Sequence, residues 1–235
     1  MWSSTAEAPV LLIGSAHVVD LEPALRRVLV GRPLDAVALE LDTERANHLL
    51  APPAERPEGG ADVPVFLRLW AHLQRRLGQE IGGGMAGAEM RVAADIARER
   101  KLPILLIDDP IRDTLAALLR SLSFKERISL VLGSLVGLVL PARVVERQLD
   151  RYNESPEPFL EEVRRAYPSV SRVLLDDRNE HMADRLFEAR QKGLGRVAAV
   201  VGDAHVRGLA DALRRRGVPV ETIPLGELVA GPRAP

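Results

Sequence analysis

Two stretches at opposite ends of the 235-residue chain repeat one pattern. The first reads Val10-Leu11-Leu12-Ile13-Gly14-Ser15-Ala16-His17-Val18, and the second Ala198-Ala199-Val200-Val201-Gly202-Asp203-Ala204-His205-Val206. Each is an apolar run too short for a helix, then Gly-x-Ala-His-Val, then helix-forming sequence. Such a run reads as a buried strand and the glycine as the point where the chain turns sharply, which puts each histidine at the carboxyl end of a strand. In α/β sheets ligands collect at that edge. Two histidines delivered there from distant parts of the chain read as one shared site.

Further strand signals surround the pair. The continuous apolar runs are Pro9–Ile13, Asp35–Leu41, Pro103–Ile107, Arg196–Val201 and Val218–Ile223. Unbroken Val, Leu and Ile, rather than alternation, is the pattern of strands covered on both faces. Helical periodicity falls between them, at about Leu21–Val30, Thr43–Leu50, Val65–Gln79, Ala86–Arg100, Val170–Gln191 and Val206–Arg216. Strand and helix in alternation predict one α/β domain over residues 1–235 with a largely parallel sheet flanked by helices. Residues 110–195 carry no strand signal and read as a helical insertion over the sheet edge. Two stretches break the pattern: Ala51–Asp62, with Pro52, Pro53, Pro57, Gly59 and Gly60, reads as a loop, and Gly82-Gly83-Gly84 as a helix break or hinge.

Composition narrows the chemistry. The formal net charge is −1, so nothing favours nucleic acid or an anionic membrane surface. With no cysteine, thiolate zinc sites and cysteine nucleophiles are excluded, and a metal would have to be held by nitrogen and oxygen ligands. The first residues lack a basic region followed by an apolar core. The most apolar segment, Ile128–Leu140, falls short of the ~20 residues that cross a bilayer. A cytoplasmic protein with no membrane span is expected. Within that segment Gly133 and Gly137 lie one turn apart and would admit a second helix closely, which points to a homodimer.

Acidic residues can join the histidines at the strand ends. Glu40 stands in an apolar run at the end of a strand, where a carboxylate is costly unless paired or metal-bound. Asp42 follows, and either it or Thr43 can cap the next helix. Asp108-Asp109 ends a third strand, although Asp before Pro110 also commonly starts a helix. Glu89 opens a helix after Gly87-Ala88, where the helix dipole favours an anion. Asp177-Arg178-Asn179-Glu180-His181 is a dense polar patch on a long helix, and Arg178 is suited to orienting a carboxylate or holding a substrate. No serine nucleophile elbow, phosphate-binding loop or dinucleotide glycine pattern is present.

The motifs in order resemble those of the TraB/PrgY family. Gly14-Ser15-Ala16-His17-Val18 is followed by Arg32 to Asp42, Arg45, Gly87-Ala88-Glu89-Met90, Leu106-Ile107-Asp108, Thr114-Leu115, Arg178 and Met182-Ala183. Gly202-Asp203-Ala204-His205-Val206 and Gly208 close the pattern. The paired Gly-x-x-His motifs with Arg178-Asn179 are also similar to the TIKI/GumN metalloprotease group. The resemblance implies a TIKI-like α/β fold related to the erythromycin esterases, and it marks His17, Glu40, Glu89, Arg178 and His205 as site residues.

The expected activity is metal-dependent hydrolysis of a peptide, or of a small amide or ester. His17 and His205 would bind a divalent ion (Mn, Co, Zn or Fe) as neutral imidazoles, with Glu40, Glu89 or Asp42 completing the shell. The carboxylate left outside that shell, Glu40 or Glu89, would act as general base, and Arg178 would stabilise the oxyanion. Two alternatives stay open: a metal-independent esterase in which Glu40 orients His17, and a protein that sequesters a peptide or cofactor without cleaving it.

Overall fold

Five short apolar runs become five parallel strands. The computed structural model describes residues 8–16, 21–50, 87–128 and 156–231. The strands are β1 (Val10–Ser15), β2 (Ala36–Leu39), β3 (Ile104–Leu106), β4 (Val197–Gly202) and β5 (Val220–Ile223). They pair in the order β3-β2-β4-β1-β5, with every pair parallel. β1, β2 and all of β4 except Gly202 are buried, as their continuous apolar sequence demands. The two edge strands are only half-buried.

Alternate strand residues face two separate cores. Leu11, Ile13, Val37, Leu39, Ala198 and Val200 pack under α1 (Glu22–Val30), α2 (Thr43–Leu50) and α3 (Ala88–Glu99). Leu12, Ala36, Ala38, Ala199 and Val201 pack on the other face. Two of the helices that follow β3 cover it, and the last helix packs on the first face through Leu228. α4 is Ile111–Ser121, α5 is Pro156–Ala166 and α6 is Pro168–Ser171. A π-helical turn, Arg172–Asp176, then leads into α7 (Asp177–Gln191). α8 (Asp203–Arg215) follows β4, and α9 (Leu225–Ala230) follows β5. α7 and α8 supply Met182, Leu186, Val206, Leu209 and Leu213 to this second core.

The connections select one crevice. After β2 the chain leaves over the first face toward β3; after the adjacent β4 it leaves over the second face toward β5. Neighbouring strands whose connections diverge in this way make the switch point where open α/β sheets bind ligands. β2 delivers Glu40 to that crevice, and β4 delivers Gly202 and the first turn of α8.

Three expectations need correction. Gly14 lies inside β1 rather than at a turn, and Gly202 joins β4 to the next helix without a left-handed backbone. At Gly14 the absent Cβ serves close approach instead. A side chain on Gly14 would lie 2.3 Å from Asp203 Oδ1, the atom that accepts the Leu225 N–H at 2.8 Å. Secondly, α8 begins at Asp203 rather than Val206: an acidic residue in the first turn suits the dipole, so helix follows strand directly. Thirdly, the helix expected over Val170–Gln191 is interrupted by its π turn, in which Asp177 N–H bonds to Arg172 O. Between residues 110 and 195 the described residues are helical, as expected, though α7 packs on the sheet face rather than only at its edge.

Several expectations fall outside the described residues: the loop at 51–62, the helix at 65–79, the glycine run at 82–84, and the apolar segment with Gly133 and Gly137. Among the described residues no helix is long and apolar enough to cross a membrane.

Candidate active site

A half-buried arginine gathers the carboxyl-edge residues. Arg178, in the first turn of α7, donates from Nε to Asp108 Oδ1 at 2.9 Å and from Nη2 to Asp108 Oδ2 at 2.6 Å. The same Nη2 donates to Glu40 Oε1, and Nη1 donates to Leu174 O at 3.2 Å and to His205 Nε2 at 3.1 Å. Leu174 lies in the π turn, a distortion that recurs near functional sites because it re-aims backbone groups. The planar, multi-donor guanidinium is what allows one side chain to hold two carboxylates and an imidazole at once.

Each partner is itself held. Glu40 Oε2 accepts the Gly202 N–H at 2.6 Å, which fixes the carboxylate between β2 and β4. Gly202 lies against both groups: a Cβ there would stand in ordinary contact, 3.4 Å from Glu40 Oε2 and 3.7 Å from His205 Cδ2. His205 Nε2 lies 3.4 Å from Glu40 Oε1. On the far side of the ring, Nδ1 donates to Asn179 Oδ1 at 2.8 Å, because an amide carbonyl can only accept. The proton is therefore on Nδ1, and Nε2 presents its lone pair to Arg178 and the cleft. Asn179 reaches the ring across Gly208, where a Cβ would come within 2.2 Å of Asn179 Nδ2.

Electrostatics follow from this packing. Burial, the largest influence, pushes the His205 imidazole below its ordinary pKa; Glu40 opposes that, Arg178 reinforces it, and Asp108 opposes it again. The ring is neutral at neutral pH. Burial would raise the Asp108 carboxyl, but the hydrogen bond and charge of Arg178, then those of Arg45, bring it below the ordinary range. Burial acts against the charge of Arg178 as well, and Asp108 and Glu40 outweigh it, so the guanidinium is more basic than usual.

Other candidates are placed less directly. Asp42 caps α2, accepting from Arg45 N at 2.8 Å and from Arg45 Nε at 2.7 Å. Burial opposes its ionisation, the bonds to Arg45 favour it, and the carboxyl ends below the ordinary range. Arg45 continues through Nη2 to Asp108, so Asp42 joins the network at one remove. Glu89 is buried in the first turn of α3, which runs down to the start of β3. It thus stands at the carboxyl edge, on the helix that covers the opposite face. His17 lies outside the described residues. Asp108, read from the sequence mainly as a helix start, is the hub carboxylate, and Asn179 is the residue that fixes the His205 tautomer. An Asp at a strand end and an Asn next to the arginine were the signals available.

The spacing of the donors bears on a metal. Two nitrogen or oxygen ligands about 2.0–2.2 Å from a tetrahedral ion stand about 3.3–3.6 Å apart. The 3.4 Å between His205 Nε2 and Glu40 Oε1 matches, and the Nδ1–Asn179 bond is the outer support that metal-binding histidines have. Against this, Arg178 brings its own charge to the same point. Among the described residues no three His, Asp or Glu side chains are grouped to hold an ion. His205 Nε2 and Glu40 Oε1 are thus two donors at that spacing, and His17, the other histidine expected as a ligand, lies outside the described residues.

The family model of the TraB/PrgY/gumN family matches residues 1–222. An uncharacterized protein of Methanocaldococcus jannaschii is 29% identical over 223 residues, which cover 92% of this chain and 56% of that relative. The chain therefore spans little more than half the length of that relative. The match spans β1 to β4 and all but the last residue of β5: the chain belongs to the TraB/PrgY/gumN family.

Proposed function

We propose that the chain is a hydrolase of peptide or other amide bonds, with Glu40, Arg178 and His205 as its reacting groups. The observation that carries this reading is the convergence of a neutral imidazole, a held carboxylate and a half-buried guanidinium at one switch-point crevice. Hydrolysis asks for three things at one place: a base to take a proton from water, a donor for the developing oxyanion, and a fixed geometry between them.

The residues divide the work by their chemistry. His205 Nε2 and Glu40 Oε1 are the available bases for a water lying between them. The charge of Arg178 stands on the same side; its five N–H groups are already engaged, so an oxyanion formed there would take over the Nη1 bond now made to His205. Asn179 and the Gly202 N–H orient the two bases. Asp108 and Arg45 hold Arg178 at the correct angle. Glu89 is the second carboxylate at this edge and the comparison for Glu40.

A divalent ion is the finer part of the proposal, supported by the 3.4 Å donor spacing and by the outer support of His205. His205 and Glu40 would hold it together with His17, the expected third ligand, and Arg178 would move aside. Bound there, it would acidify water and polarise the scissile carbonyl. The experiment is cleavage of a mixed peptide pool by purified protein, before and after chelation and with Mn, Co, Zn or Fe restored. Cleavage lost on chelation and regained with one ion supports the metal-dependent form; cleavage indifferent to chelation supports His205 and Glu40 alone. No cleavage under any of these conditions defeats the hydrolase reading in favour of sequestration.

A further inference from the structure

We propose that β3 is a docking edge on which an extended peptide adds as a further strand, its chain running toward Asp108 and the crevice. This inference rests on the hydrolase reading and names how that site would receive its substrate.

The backbone pattern of β3 is the first observation. Val37 N–H donates to Pro103 O at 3.0 Å, and Ile107 N–H donates to Leu39 O at 3.1 Å. Since the N–H and C=O of one strand residue point the same way and alternate residues oppose, residues 103, 105 and 107 face β2. Ile104 and Leu106 therefore turn two N–H and two C=O groups away from the sheet. Among the described residues β3 is an edge, with β2 as its one neighbour.

A groove follows that edge. It has a volume of about 680 Å³, within the ~300–1,000 Å³ usual for ligand sites. Ile104 to Asp108 form one wall, and His181 and Arg185 of α7 with Lys192 just after it form the other. Asp42 also lines it, so two carboxylates belong both to the groove and to the Arg45–Arg178 network. The opposite edge has a groove of similar size along β5, lined by Arg27, Arg32 and Glu221, which includes no residue of the crevice. Of these two grooves, the one along β3 is continuous with the candidate site. At about 3.3 Å per residue, a strand paired with Leu106 reaches Asp108 within about 7 Å.

The charges on the groove wall identify the occupant. His181 lies 3.0 Å from Asp109, Arg185 3.3 Å from Glu188, and Lys192 4.0 Å from Glu188. Paired charges of both signs give little selection for a charged ligand. What the groove offers instead is a two-residue hydrogen-bonding ladder beside half-buried Ile104, Leu105 and Leu106. Main-chain pairing of this kind recognises extended peptide with wide tolerance of side chains. A second copy of the chain is a poorer occupant, since three residues of strand contribute little toward the ~800 Å² per partner of a stable interface.

The test uses the full chain labelled with nitrogen-15 and an end-capped Lys-Thr-Val-Thr-Val-Thr-Lys peptide. Hydrogen exchange at Ile104 and Leu106 should slow at least tenfold on adding peptide, while Leu105 and Ile107, facing β2, change little. The same peptide N-methylated at alternate amides should bind at least tenfold more weakly. Leu106→Pro, which removes one outward N–H and spares the β2 ladder, should weaken binding similarly. Unchanged exchange at both amides, or equal binding of the N-methylated peptide to wild-type protein, overturns the proposal. So does protection present without peptide: if it grows with protein concentration the occupant is a second copy, and if it does not the occupant is the chain itself. Cleavage is followed by mass in the same sample. Cleavage without protection of Ile104 and Leu106 removes the docking edge and leaves the hydrolase, whereas protection without cleavage keeps the edge and removes the hydrolase.

Discussion

Asn179 Oδ1 accepts the Nδ1 proton of His205 at 2.8 Å, and through that contact one amide decides which ring nitrogen faces Glu40 and Arg178. Removing it should change chemistry more than folding. Asn179→Ala is expected to lower peptide cleavage about 10–100-fold, the usual effect of losing an outer orienting partner. Asn179→Asp places a negative charge on the ring and should move the acid limb of the pH–rate profile upward. A profile unmoved by Asp would leave Asn179 a packing residue.

Gly208 should prove inseparable from Asn179. Alanine in place of glycine within α8 gains up to about 1 kcal/mol of helix propensity. Here, however, its Cβ would sit 2.2 Å from Asn179 Nδ2, and such overpacking costs about 1–3 kcal/mol. The clash is expected to win, so Gly208→Ala should be less stable in urea and should lose cleavage to the same extent as Asn179→Ala. Gly217→Ala serves as a control for a glycine substitution, since nothing lies within 4 Å of its Cβ position, although its φ of +72° carries its own strain.

Arg178 should tolerate neither lysine nor methionine. Lysine keeps the charge but cannot make the paired Nε and Nη2 bonds to Asp108 while reaching Glu40 and His205. Methionine leaves buried Asp108 and Glu40 sharing a site with less compensating charge. Breaking such a pair costs about 3–5 kcal/mol. Urea unfolding should rank wild type above Lys and Lys above Met, and a methionine variant as stable as wild type would contradict the network.

Acidification should expose His205. Its native pKa lies below the ordinary 6.5, so as pH falls through that value the unfolded chain takes up a proton that the native state refuses. The stability contribution is whole above 6.5 and is lost progressively as pH drops toward the lowered native value. Unfolding free energies measured from about pH 7.5 to about pH 5 should fall more steeply for wild type than for His205→Gln. Parallel curves would mean that His205 is not buried as a neutral ring.

Much of this was legible in the sequence, for physical reasons that differ by residue. Strands buried on both faces must be continuously apolar, so all five could be read, and Glu40 stood out as a charge at the end of such a run. His205 was visible because its strand context repeats. The glycines misled, since an absent Cβ serves close approach as well as a left-handed turn; the clashes that would occur at Gly14 and Gly208 involve Asp203 and Asn179, far from them in sequence or on another helix. Asp108 was read chiefly as a cap because its partners, Arg45 and Arg178, lie 63 and 70 residues away. The π turn before Arg178 left no periodicity signal distinct from an ordinary helix.

The most direct test of the central claim is peptide hydrolysis in heavy-oxygen water, followed by mass spectrometry of the products. Hydrolysis places the heavy atom in each newly formed carboxyl group, which separates cleavage from carried-over fragments. Wild type should yield labelled products. His205→Gln and Glu40→Gln, with folds checked by circular dichroism, should lose about 10²–10⁴-fold in rate, the range for a lost general acid or base. Glu89→Gln, at the same edge but on α3, serves as the comparison. Labelled product formed at wild-type rate by both His205→Gln and Glu40→Gln, or none from wild type, would contradict the assignment of this crevice as a hydrolytic centre.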